Sequence, residues 1–184
     1  MFLVCEGCQY WWTDDKLALC RQYMRSRPDC SLLSLVYEPN GTDHDDLVVG
    51  LSSWRYRCDT YYYKLDHPAG SASDVPGAIK RLLELWLRDM DACGPDHATY
   101  LPYDFSDQYT GWLRCGLKAN GEWQILPGWS DKEGWAFYPT DYEDVAKGLD
   151  DFRPVQGDLE FTLQDADLRR DIALAIADVE SLGA

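Results

Sequence analysis

Two alternating stretches flank an Asn-Gly pair in GWLRCGLKANGEWQIL, residues 111–126. An Asn-Gly pair readily adopts the positive φ angles of a tight turn, so the pattern predicts a β-hairpin that turns at Asn120-Gly121. Large apolar side chains of the two strands can then meet across the sheet, namely Trp112, Cys115, Leu117, Trp123 and Ile125. The pairing is antiparallel, because two strands joined by so short a turn cannot run in the same direction.

The clearest helix precedes this hairpin. Apolar residues recur on one helical face over residues 75–90, namely Val75, Ile79, Leu82, Leu83, Trp86 and Met90. Pro76 suits the first turn of a helix, and Gly94-Pro95 ends it. We therefore predict a helix that packs this apolar face on the sheet.

The remaining elements have shorter signals. We predict a helix from Thr13 or Asp14 to Pro28, strands over 32–37, 47–56, 60–65, 135–138 and 159–163, a short helix up to Leu149 and a last helix from Asp165. The resulting order, αβββαβββαβα, groups the strands around short turns. It predicts an α+β fold, with a mainly antiparallel sheet and helices packed on it, in a single domain over residues 1–184.

The chain is strongly acidic and also rich in aromatic residues. Its formal net charge is -15 on 184 residues, which include 8 Trp and 12 Tyr. A disordered acidic segment lacks such aromatics, so we expect a folded protein with a negative surface. Nucleic acids and anionic membranes bind clustered Lys and Arg, so neither is expected as a partner. The phosphate-binding patterns G-x-x-x-x-G-K-[ST] and G-x-G-x-x-G are absent, which argues against ATP, GTP and NAD chemistry.

The candidate metal ligands form two groups. Cys5 and Cys8 form a C-x-x-C pair, and Cys20 and Cys30 follow, but a zinc ribbon needs a second C-x-x-C. We therefore expect buried free thiols rather than a zinc site. The TDHDD loop, residues 42–46, matches no EF-hand spacing, so a solvated loop is the simpler interpretation. No metal and no cofactor are predicted.

The sequence favours a bacterial-type cytoplasm. It has no run of about 18 apolar residues that could span a bilayer. The apolar stretch Met1–Cys5 is followed at once by Glu6 and is not preceded by a basic region, so we expect no secretory signal. Seven cysteines in a chain of this size indicate reduced thiols rather than a disulfide framework.

Two carboxylates suggest one possible enzymatic role. Asp104 and Asp107 lie three residues apart in YLPYDFSDQYTGW, residues 100–112, among several aromatic rings. A glycosidase needs a protonated and an ionised carboxyl group beside the sugar, and aromatic rings stack on sugars. A carbohydrate-active enzyme or sugar-binding module is therefore the alternative function. The other interpretation is that these residues form a turn and cover a sheet.

The aromatic-acidic run, which we define as residues 126–151, is the candidate binding site. Its candidate partner-binding residues are Trp129, Asp131, Glu133, Trp135, Asp141, Tyr142, Glu143, Asp144, Asp150 and Asp151. Aromatic anchors ringed by carboxylates suit a basic protein partner, because rings supply buried area and charges steer the encounter. The competing interpretation is that the rings belong to the core and the charges to a solvated face.

In overall character the chain resembles the small acidic bacterial immunity proteins, which neutralise toxins. The resemblance lies in size, charge and the lack of catalytic motifs. It implies a non-catalytic inhibitor that binds a basic protein, such as a toxin domain, through the aromatic-acidic run. An acidic adaptor with a small structural zinc near the N-terminus is a third interpretation.

Overall fold

The computed structural model describes residues 31–42, 44, 46–66, 73–157 and 159–182. Within these ranges the chain forms two antiparallel sheets and four α-helices, which confirms the predicted α+β fold. The predicted first helix and the Cys5-x-x-Cys8 pair lie outside the described residues. In the part of the chain that is described, no helix has the length and apolar character needed to cross a bilayer.

The first sheet has three strands in sequence order: β1, Leu33–Tyr37, β2, Leu47–Leu51, and β3, Trp54–Cys58. The prediction of one strand over 47–56 was wrong, because Ser52 and Ser53 form a tight turn in the middle of that range. Leu51 pairs with Trp54 across this turn. Ser52 takes a φ of 53°, which a short polar side chain tolerates.

A short helix, α1, occupies Tyr61–Leu65, where a strand was predicted over 60–65. The three consecutive tyrosines have high β propensity, but tertiary contacts outweigh it. Tyr63 is fully buried and its hydroxyl donates to the Tyr103 carbonyl at 2.9 Å, whereas Tyr61 points outward. A helical turn lets neighbouring rings diverge in this way, and the Lys64 amide closes it on the Thr60 carbonyl.

The predicted central helix is confirmed as α2, Val75–Ala92. The Asp74 side chain caps it by accepting from the Gly77 amide at 2.9 Å. Its buried residues are Ala78, Ile79, Leu82, Leu83, Trp86 and Met90, which match the predicted apolar face. Val75, also assigned to that face, is only half-buried.

The second sheet contains β4, Ala98–Phe105, β5, Thr110–Leu117, β6, Glu122–Ser130, β7, Arg153–Pro154, and β8, Phe161–Gln164. The hairpin of β5 and β6 is confirmed, with Leu117 opposite Trp123. Gly121 has a φ of 80°, a conformation that a residue with a Cβ adopts only with strain. Strand β4 was not predicted, and it carries an irregularity between Pro102 and Asp104.

The segment between β6 and the last strand differs from its prediction. Instead of a strand over 135–138, a single turn of 3-10 helix covers Gly134–Ala136. A short helix, α3, follows at Glu143–Lys147. The last helix, α4, runs over Asp165–Leu182 and begins at the predicted residue.

One core cluster connects both sheets and the long helices. Helix α4 packs against α2 and β1. A buried carboxylate helps to hold this contact, because Asp171 accepts from the amides of Leu32 and Leu33 at 2.8 and 3.0 Å. Trp86 of α2 donates its indole N–H to the Pro102 carbonyl at 3.1 Å and so connects α2 to β4.

Candidate protein-interaction surface

Trp135 and Tyr138 are the most exposed aromatic side chains of the run. Their exposed fractions are 62% and 55%. The 3-10 helix that carries Trp135 is packed tightly against the end of β4. The Gly134 amide donates to the Ser106 carbonyl at 2.7 Å, and a Cβ on Gly134 would lie 2.6 Å from that oxygen. Trp135 is therefore presented to solvent by a firmly held backbone.

Trp129 and Asp131 share one cation of the same chain. The Arg153 guanidinium lies over the Trp129 ring, 4.7 Å from its centroid. The same guanidinium pairs with Asp131 at 2.6 Å. The half-buried Trp129 ring and the Asp131 carboxylate are thus already engaged within the protein.

Tyr142 belongs to the core. It is fully buried, packs edge-on against Trp112 and donates its hydroxyl to Asp89 at 2.5 Å. Burial, together with this hydrogen bond, raises the pKa of Tyr142 well above its ordinary value. Its side chain therefore cannot reach a partner in this structure.

Four carboxylates of the run have partners within the chain. Besides Asp131, Glu143 pairs with Arg88 at 2.6 Å and Asp144 pairs with Lys147 at 3.0 Å. Asp151 accepts from the Ser130 hydroxyl and from the Asp131 amide. Burial acts to raise the pKa of Asp151, but these hydrogen bonds outweigh it and hold the pKa below its usual value.

The other three carboxylates are exposed. The side-chain carboxylates of Glu133, Asp141 and Asp150 have no hydrogen-bond or ion-pair partner among the described residues. Glu133 and Asp141 bracket Trp135 and Tyr138 in the sequence. Residues 133–141 therefore combine the exposed rings of the run with two of its unpaired carboxylates.

The carboxylates of the alternative function have unequal access to solvent. Asp104 is only 1% exposed, and it accepts from the Tyr56 hydroxyl at 3.0 Å and from the Asp59 amide at 2.7 Å. Asp107 is exposed and accepts from the Tyr62 hydroxyl at 2.5 Å. That bond, with a smaller contribution from burial, raises the pKa of Tyr62 to about 12. In this structure Asp104 is buried and supports the loop at Asp59.

No metal-binding group emerges within the described ranges. Among the described residues, no three His, Cys, Asp or Glu side chains are grouped so that they could hold an ion. In the TDHDD loop, Asp46 is buried and its carboxylate accepts from the backbone amide of Asn40. His44 pairs with Asp59 at 3.0 Å. These side chains hold the loop together.

Two exposed apolar residues of α1 were not predicted as part of a site. In the predicted strand over 60–65, Tyr61, Tyr63 and Leu65 would share one face. On the helix, Tyr61 and Leu65 lie one turn apart and are exposed, whereas Tyr63 is buried, and no signal in the sequence separates them in this way.

Comparisons of the chain with protein-family models, with curated proteins and with solved structures gave no match. Its function therefore has to be inferred from the side chains and their surroundings.

Proposed function

We propose that this protein is a non-catalytic inhibitor that binds and neutralises a basic protein, such as a toxin domain, in the cytoplasm of a bacterial cell. The supporting observation is the surface of residues 133–141, where two exposed aromatic rings lie between carboxylates that no cation of the described residues neutralises. The net charge of -15 adds long-range attraction for a basic partner.

We choose the proposed contact residues by two criteria: the side chain is exposed, and a carboxylate has no ion-pair partner within the described residues. Trp135 and Tyr138 are the proposed anchors, because exposed aromatic side chains on a fixed backbone bury a large area at low entropic cost. Glu133 and Asp141 are the proposed steering charges. The paired carboxylates Asp131, Glu143 and Asp144 contribute less, because binding a partner's cation there would first break an ion pair within the chain.

The partner itself is identified by affinity capture. The tagged protein and its Trp135→Ala/Tyr138→Ala variant are incubated with lysate of the source organism, and proteins retained only by the wild type are identified by mass spectrometry. The decisive step is reconstitution: the purified partner should be basic and should lose its activity in a 1:1 complex. A partner that stays fully active in the complex contradicts the inhibitor proposal. Turnover of a glycoside that is lost on Asp107→Asn would instead support the carbohydrate alternative.

Trp135→Ala is expected to increase the dissociation rate of the complex about tenfold, because a central aromatic anchor is lost. The association rate should change far less. Surface plasmon resonance with the purified partner measures both rates. The control is Leu182→Ala, which removes a comparably exposed apolar side chain from α4. Equal effects of the two substitutions would contradict the assignment of Trp135 as an anchor.

Glu133→Lys is expected to slow association by severalfold at low salt, because it reverses a steering charge near the anchors. The effect should shrink at high salt, while dissociation stays nearly constant. Asp178→Lys makes the same change in net charge on the exposed side of α4 and should slow association less. If both variants slow association equally, net charge alone accounts for the effect and Glu133 has no local role.

A further inference from the structure

Helix α1 is tied to the segment that carries Trp135 and Tyr138. Asp66 is the first residue after α1. Its carboxylate accepts from the backbone amide and the hydroxyl of Thr140 at 2.8 and 2.9 Å. A second connection passes through the turn between β4 and β5, where Asp107 accepts from Tyr62. In the same turn, the carbonyl of Ser106, which precedes Asp107, accepts from the Gly134 amide. Residues 61–65 and 133–141 therefore lie side by side.

The exposed apolar side chains concentrate in these two segments. Of the seven large hydrophobic side chains that are exposed in the described ranges, four belong to them: Tyr61, Leu65, Trp135 and Tyr138. Tyr61 and Leu65 are 40% and 42% exposed. A grouped set of exposed apolar side chains with a polar rim is typical of an interaction site, whereas single ones are ordinary.

Tyr61 is held in place before any partner arrives. Its ring stacks in parallel on His44 with the centroids 5.4 Å apart, and the Tyr62 ring contacts it edge-on at 5.4 Å. His44 is in turn fixed by the Asp59 carboxylate. A ring that is already ordered loses little conformational freedom on binding, which favours its use as an anchor.

The rim of this area is acidic. Asp107, Glu133 and Asp141 lie on or beside the two segments, and Asp59 is already paired with His44. Lys64 and Lys132 are the nearby cations in the sequence. A second copy of the chain would bring carboxylate against carboxylate in a symmetric contact, which is unfavourable. A basic partner has the complementary charge.

We infer that residues 61–65, Asp107 and residues 133–141 form one continuous docking surface for a basic protein, whose Arg or Lys side chains lie against the rings of Tyr61 and Trp135. This inference rests on the proposed function and extends its site to α1. Cationic side chains bind aromatic faces, and nearby carboxylates strengthen the attraction. Leu65 and Tyr138 then contact the apolar stems of those side chains.

The test uses a 12-residue peptide of alternating Arg and Leu as the probe, titrated into the isotope-labelled full chain and followed by NMR. Chemical-shift changes should concentrate in residues 61–65, at Asp107 and in residues 133–141, and a Glu-Leu peptide should cause none. Changes spread over all acidic surfaces, changes centred elsewhere, or no binding of the Arg-Leu peptide would each overturn the inference.

The Tyr61→Ala/Leu65→Ala variant should weaken peptide binding about tenfold, and Tyr61→Phe should bind like the wild type because it keeps the ring. The matched control is Leu174→Ala/Leu182→Ala, two exposed apolar residues of α4, which should change the affinity less than about twofold. Thermal melting of each variant confirms that the fold is retained. A control variant that binds as weakly as the α1 variant would overturn the inference.

Two further outcomes separate the inference from the proposed function. If Trp135→Ala weakens binding and Tyr61→Ala/Leu65→Ala does not, α1 is not part of the docking surface. The proposed site at residues 133–141 is then still supported. If the wild type forms a dimer in sedimentation analysis and the α1 variant is monomeric, the surface serves a second copy of the chain. That result would overturn the inference. The proposed inhibitor function would still be tested separately, by reconstitution with the captured basic protein.

Discussion

Trp86→Ala is expected to lower the free energy of unfolding by about 4 kcal/mol, the largest effect among the substitutions considered. The Trp86 side chain is fully buried between α2 and the second sheet. Its removal leaves a cavity that the surrounding side chains fill only in part. It also leaves the Pro102 carbonyl without the indole donor that now lies 3.1 Å away.

Urea unfolding followed by circular dichroism measures this loss. For a chain of this length it corresponds to a fall in Tm of roughly 8 to 16 °C. Trp86→Phe should cost less, because it retains most of the buried ring and loses mainly the hydrogen bond. Glu84→Ala on the exposed side of α2 is the control, with an expected change within about 0.5 kcal/mol. Wild-type stability of Trp86→Ala would refute the assignment of this face to the core.

Asp171→Ala is expected to cost about 3 kcal/mol, because it leaves two backbone amides without acceptors. One carboxylate oxygen accepts from both Leu32 and Leu33, and the other binds the Arg170 guanidinium at 2.8 Å. The carboxylate is buried, so water cannot simply replace it at these amides.

Hydrogen exchange provides a specific readout for this substitution. Protection of the Leu32 and Leu33 amides should fall more than protection in the β5–β6 hairpin. Asp178→Ala is the matched control, since it removes the same side chain from an exposed position of α4. Equal losses of stability in the two variants would show that Asp171 contributes only its charge.

The elements that sequence analysis predicted well carry their signal within a few residues. The β5–β6 hairpin needs only the Asn120-Gly121 turn and the alternation around it. Helix α2 needs only its apolar spacing and Pro76 in its first turn. Neither depends on a distant partner, so local patterns were sufficient.

The elements that were missed depend on distant contacts. Helix α1 forms against the β propensity of its tyrosines because Tyr63 fits between α1 and β4, where its hydroxyl finds the Tyr103 carbonyl. Strand β4 contains Pro102, which weakens a strand signal but is tolerated where the proline nitrogen needs no ladder partner. Neither arrangement is visible before the chain is folded.

In the candidate site, too, some features could be predicted from the sequence and others depend on distant contacts. Its acidic and aromatic composition is plain from the sequence, and Trp135 proves to be exposed. The burial of Tyr142 depends on Asp89 and Trp112, which lie about 50 and 30 residues away in the sequence. The neighbourhood of Tyr61 and Trp135 depends on the Asp66–Thr140 contact, which joins residues 74 positions apart. The composition of the sequence therefore indicated an acidic, aromatic surface. Which residues belong to that surface depends on contacts between distant parts of the chain.

The contact between Asp171 and β1 also bears on how the chain folds as it is synthesised. The two amides that open the first sheet find their acceptor 138 and 139 residues later in the chain. While the ribosome is still adding residues, α2 and the β5–β6 hairpin can form from local pairings, but the amides of Leu32 and Leu33 have not yet met their native acceptor. We therefore expect α4 to dock on β1 late in folding, and a chain truncated before α4 to be less stable and more prone to aggregation.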